Sequence, residues 1–167
     1  MSAVRDGRAA ALHSAARPGL GALTAAWGAV ALWLAVIFSL SSDRFSDVNT
    51  AVWLSNMPLL GALVPPAAIA AGNFIVRKSA HFVEYAVLGM LTFRALRLTW
   101  PRIGRHALAV AVGFAVLCAG VDELHQYFGT FTRNGTPNDV MLDGTGALAG
   151  AIVGATYLQR RTQRRAA

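Results

Sequence analysis

Long apolar stretches alternate along this chain with short polar clusters, and the clusters sit at the ends of the apolar stretches rather than between short ones. Residues 18–42 carry no charge. A membrane-spanning helix needs about 20 apolar residues, so this stretch predicts a first span over 20–40. A cleaved signal peptide has an apolar core of only about 7–15 residues before a small-residue cleavage site, and this run is too long for one. Residues 48–76 are also uncharged, yet Pro58, Pro65 and Pro66 divide them. Proline removes a backbone donor and clashes with the preceding turn, so short interfacial helices are expected here, with Trp53 at the interface. A second span is expected over 77–97, polar in its first two turns and stopped by Trp100-Pro101. The third covers 106–128, with Asp122, Glu123, His125 and Gln126 in its last turns. Thr136-Pro137-Asn138-Asp139 reads as a helix start, with Thr at the cap and Pro at the first helical position, and opens a fourth span over 137–158. The expected fold is an all-α membrane protein of four transmembrane helices. Residues 18–159 form one domain between basic tails 1–17 and 160–167.

Composition agrees. The chain is 55% hydrophobic and 14% charged, with a mean hydropathy of +0.47, whereas soluble domains are roughly 25% charged. A net charge of +7 would ordinarily suggest nucleic acid. Here the arginines flank apolar runs, so topology explains them and no nucleic-acid partner is expected. With both termini inside, eleven of the fifteen Lys and Arg residues fall on the cytoplasmic side, as the positive-inside rule asks. Arg44, Arg77, Lys78 and Arg133 stay outside, together with every acid except Asp6. Cys118 is the sole cysteine and lies in an apolar run, so it reads as a packing residue.

In this topology the second helix begins, the third ends and the fourth begins at one depth. At about 100° per residue, Arg77, Lys78, His81, Glu84 and Tyr85 share roughly a third of the second helix. Asp122, Glu123 and Gln126 share an arc of the third, with His125 turned further round. On the fourth, Asp139 and Asp143 are a turn apart, and Gly146, Gly150 and Gly154 continue their stripe. Small residues at every fourth position let a neighbouring backbone approach, so the two acids should face other helices. Ionisable groups at this depth are expensive and mark function by default.

The stretches KSAHFVEYAVLG and DELHQYF followed by R and PNDVMLDGTGALAG resemble the VanZ-like family of small bacterial membrane proteins. The matching residues are Lys78, His81, Tyr85 and Leu88, then Asp122, Glu123, Gln126 and Phe128, then Arg133, Asp139, Asp143, Gly146 and Gly150. Two departures stand out: Phe131-Thr132 replaces a Pro-Gly pair before the arginine, and Asp143 stands where asparagine is common. The resemblance implies a multi-pass protein of the bacterial cytoplasmic membrane with a role in the envelope or in antibiotic stress. The family's namesake is linked to low-level teicoplanin resistance.

Lys78, His81, Glu84, Asp122, Glu123, Gln126, Arg133, Asp139 and Asp143 are therefore the candidate site residues, for binding or for catalysis. Several have plainer readings. Arg77 and Lys78 can snorkel to the interface, Asp122 and Glu123 can form a structural network, and Asp139 can be a helix-start acid favoured by the macrodipole. The leading functional reading is recognition of an amphiphilic envelope molecule or a lipoglycopeptide-type antibiotic. An enzyme acting on a lipid-linked envelope substrate is the alternative, since neighbouring carboxylates can divide into acid and base. A small ion- or proton-coupled transporter, acting as a homo-oligomer, is the third. His81, Glu84, Glu123 and Asp139 are weak metal candidates, disfavoured because Lys78 and Arg133 would compete for the carboxylates. No cofactor is expected, and membrane lipid is the expected environment.

Overall fold

The computed structural model describes residues 18–42, 47–129 and 136–166, so the 1–17 tail, Arg44 and Arg133 lie outside the described residues. Those residues are helical throughout, with no strand. They form α1 (Leu20–Leu40), α2 (Asp47–Ser55), α3 (Pro58–Leu63), α4 (Pro66–Thr99), a 3-10 turn (Pro101–Ile103), α5 (His106–Gly129) and α6 (Pro137–Ala166). Three helices are long and apolar enough to cross a membrane by length and composition: Leu20–Leu40, His106–Phe128 and Pro137–Arg164. The fourth long helix, α4, is not among them, because Arg77, Lys78, Glu84, Arg94 and Arg97 interrupt it.

Two boundaries correct the sequence reading. The helix expected to start at Arg77 starts at Pro66. Pro65-Pro66 reads in sequence as a breaker, but proline at the first helical position gives up an N–H that has no helical partner anyway. The Pro65 carbonyl accepts from Ala68 and Ile69 at 2.9 and 3.1 Å, so the pair initiates α4. The connector is thus broken into α2 and α3 only, and 66–76 belong to α4. At the other end, α6 continues to Ala166 through what was expected to be a basic tail.

Side-chain contacts give the helix directions. Phe82, Ala86 and Phe93 of α4 lie opposite Gly146, Gly150 and Gly154 of α6, so these two helices run parallel. Against α4, α1 runs the other way. Trp27 donates its indole N–H to Thr99 Oγ1 at 2.9 Å, and Trp33 donates to the Glu84 carbonyl at 2.8 Å. Between α4 and α5 the chain reverses at Gly104, whose φ of 55° is the one positive φ among the described residues. The end of α1, the end of α5 and the start of α6 therefore meet beside the middle of α4. Since Lys78 pairs with Asp139 in the first turn of α6, residues 66–76 project beyond that level; α2 also packs on α4.

The core is built from small residues. On α5, Ala107, Ala111, Ala115 and Ala119 form a fully buried stripe at four-residue spacing. They pack with Tyr85 and Leu88 of α4 and Ile37 of α1 in one cluster, and with Phe93 and Leu96 in another. Lipid tails are as apolar as leucine, so close backbone packing rather than hydrophobic burial holds such helices together. Exposed positions complete the picture. Leu32, Leu117, Phe128, Met141 and Val153 face outward while Asp122, Gln126 and Asp143 are buried, the reverse of a soluble domain.

Candidate functional site

Glycine brings the site together. A β-carbon on Gly146 or Gly150 would collide with the Phe82 or Ala86 carbonyl, and one on Gly89 with the Ala147 carbonyl. The backbones of α4 and α6 are thus in contact along their middle turns. That contact sets the first two turns of α6 directly against the turns of α4 that carry Lys78 and His81. Lys78 Nζ is ion-paired and hydrogen-bonded to Asp139, and it also stands 5.4 Å from the Phe74 ring centre. One turn deeper, His81 Nδ1 lies 3.6 Å from Asp143 Oδ1, within ion-pair range but longer than a hydrogen bond.

The third wall comes from α5 and, unexpectedly, from α1. Asp122 is fully buried, and its Oδ2 accepts from Ser41 Oγ at 2.6 Å and from Gln126 Nε2 at 2.9 Å. Glu123 Oε2 accepts from the Thr136 backbone N–H at 2.7 Å, which ties the start of α6 to the end of α5. Tyr85 is buried among these groups, in the electrostatic field of Asp122, Asp143 and Glu123.

Acceptors outnumber donors here. Asp143 Oδ1 and Oδ2, Asp122 Oδ1 and Glu123 Oε1 are buried without a hydrogen-bond partner, as are the Tyr85 hydroxyl and His81 Nδ1. A buried polar group without a partner is costly, and here several share one volume. The weak metal candidates do not gather: among the described residues no group of three or more His, Cys, Asp or Glu is placed to hold an ion. Glu84 is half-buried, and its backbone carbonyl accepts from the Trp33 indole N–H. His125 is exposed and meets Phe38 edge-on at 6.4 Å.

Beside the cluster, on the outer flank of α4 and α6, lies an apolar groove of about 380 Å³. Phe74, Phe82, Val83 and Leu142 line it, and Lys78 stands at its rim. Lys78 thus belongs to both groove and cluster.

The model of the VanZ/LLP1 family matches residues 26–158. The chain belongs to the VanZ/LLP1 family. No curated protein and no solved structure matches it. The VanZ/LLP1 match takes in most of α1, which the motifs between Lys78 and Gly150 do not reach. Ser41 therefore lies within the region this VanZ/LLP1 chain shares with its family. Two groups escaped sequence reasoning, Ser41 and the Thr136 N–H. A serine closing an apolar span at the depth of buried acids was the available signal for the first. A backbone N–H has no sequence signal.

Proposed function

We propose that this VanZ/LLP1 protein crosses a bacterial cytoplasmic membrane four times with both termini inside. In this reading its carboxylate-rich outer end recognises the polar headgroup of an amphiphilic envelope molecule or lipoglycopeptide-type antibiotic. The observation that carries the reading is Asp143, fully buried with no hydrogen bond to either carboxylate oxygen and only the His81 imidazole nearby, at 3.6 Å. Such a group is retained where donors arrive from a ligand, because one imidazole beyond hydrogen-bond length offsets only part of its desolvation. With Asp122 Oδ1 and Glu123 Oε1 it presents acceptors to a headgroup rich in hydroxyl or amine donors. The adjacent groove has room for an apolar chain, and Lys78 links the two, so the pair suits an amphiphile.

Cells expressing the wild type should tolerate a lipoglycopeptide better than cells expressing Asp143→Asn or Glu123→Gln at matched protein level. The expected loss of protection is about tenfold, the size of one hydrogen bond to a charged group. Equal protection by all three would sink the recognition reading. The topology has its own test. Alkaline phosphatase fused after residue 47 should be active, and fused at residue 102 inactive; reversed activities would overturn the orientation.

A second reading, an enzyme, draws on the His81–Asp143 approach beside the Tyr85 hydroxyl, since a carboxylate can orient an imidazole for proton transfer. Incubation of the purified protein with an extracted envelope lipid pool separates the two. A product of changed mass favours chemistry, and binding without turnover favours recognition.

A further inference from the structure

At the end of the bundle opposite the carboxylates, α4, α5 and α6 diverge around an open cleft of about 640 Å³, a volume typical of small-molecule sites. Phe93, Leu108 and Leu158 make an apolar floor, and Arg97, Arg105 and Thr162 stand around it. We infer that this cleft holds the anionic, phosphate-bearing headgroup of a membrane lipid, with the start of its apolar portion on the floor.

Charge supports the assignment. The described acids of the long helices, Glu84, Asp122, Glu123, Asp139 and Asp143, all lie in the half of the bundle away from the cleft. Among the described residues neither Arg97 nor Arg105 has a carboxylate partner. Arg97 is half-buried and reaches over the helix turn, where Nη1 donates to the Pro101 and Gly104 carbonyls at 3.4 Å each. Those long contacts orient the guanidinium without neutralising it. The positive-φ Gly104 reverses the chain and brings Arg105 to the same mouth as Arg97. Two guanidiniums at one mouth, one from α4 and one from the turn before α5, suit phosphate oxygens, which they can grip through paired N–H donors.

Topology alone would also place arginines at this end, but without gathering them around one recess. Arg94 and Arg160 are of that kind: neither lines the cleft. The apolar floor distinguishes a lipid from free phosphate, which has nothing to place there. Basic recesses between transmembrane helices are a known physical route to anionic headgroups.

The test is lipid retention. Full-length protein reconstituted in phosphatidylcholine vesicles doped with phosphatidylglycerol is re-extracted in mild detergent, and bound lipid is counted by native mass spectrometry. Wild type should retain phosphatidylglycerol over phosphatidylcholine. Arg105→Gln, at an exposed position, should reduce that retention roughly fivefold, the factor expected for one cation at an anionic surface. Leu158→Trp, which fills the cleft at constant charge, should reduce it as well. The double variant Arg94→Gln/Arg160→Gln removes two charges outside the cleft and should retain lipid like the wild type. Equal loss in that double variant, or no anionic preference in the wild type, overturns the inference. Displacement of the lipid by soluble glycerol phosphate at equal concentration would overturn the lipid assignment in favour of a free phosphate ester.

Discussion

Replacing Gly150 with leucine is expected to leave little folded protein in a detergent extract. The reason is backbone contact. A β-carbon at Gly150 meets the carbonyl of Ala86, and Gly146 and Gly89 are hemmed in the same way by Phe82 and Ala147. Both partners are mid-helix main chain, so no side-chain rotation relieves the collision and α4 must move away from α6. Ordinary overpacking of a core costs about 1–3 kcal/mol; here the loss should exceed that, because the whole close-packed seam opens with it. Gly113 of α5 provides the control. Nothing lies within 4 Å of a β-carbon there, and alanine is the better helix former by up to about 1 kcal/mol, so Gly113→Ala should melt at or above the wild-type temperature. Thermal melting followed by size-exclusion chromatography decides it. A Gly150→Leu protein melting with the wild type would show that α4 and α6 are not in contact.

The second large effect concerns Lys78 and Asp139. Lys78→Met alone leaves the Asp139 carboxylate, 10% exposed, without its cation, and should destabilise the fold by about 3 kcal/mol. That is the low end for breaking a buried pair, since the Lys78 side chain keeps 25% of its surface exposed. Lys78→Met combined with Asp139→Leu should restore most of the loss, because replacing both partners removes the stranded charge. The double variant also separates stability from function. Under the recognition reading it folds but protects cells poorly, as Lys78 joins the groove to the polar cluster. Additive losses in the thermal melts of the two single variants would mean that the pair is not coupled.

Much of this architecture was legible one helix at a time. The apolar run over 20–40 is α1, since a charge-free run of that length has one way to satisfy its backbone in an apolar medium. Trp100-Pro101 ends α4 and Pro137 begins α6, because proline acts on its own turn whatever surrounds it. The same residue type misled at Pro65-Pro66, where starting and stopping a helix look alike in sequence and only the downstream chain decides. The expected end of the last helix near residue 158 failed for a related reason. The arginines after it read as a solvated tail, but charged residues with good helix propensity continue a helix into water readily.

For the candidate site, the sequence by itself determined depth and rotational position. Lys78, His81, Asp122, Glu123, Gln126, Asp139 and Asp143 could be placed at one level and on inward arcs, because spacing along a regular helix settles both. Partners were decided only by the tertiary structure. That Lys78 takes Asp139 while His81 faces Asp143, that Ser41 at the end of α1 donates to Asp122, and that Tyr85 is sealed among the acids all depend on how far one helix slides and turns against its neighbour. That register is not written in any single helix. It follows from how closely α4 and α6 approach, which Gly146 and Gly150 permit and the carbonyls of Phe82 and Ala86 limit.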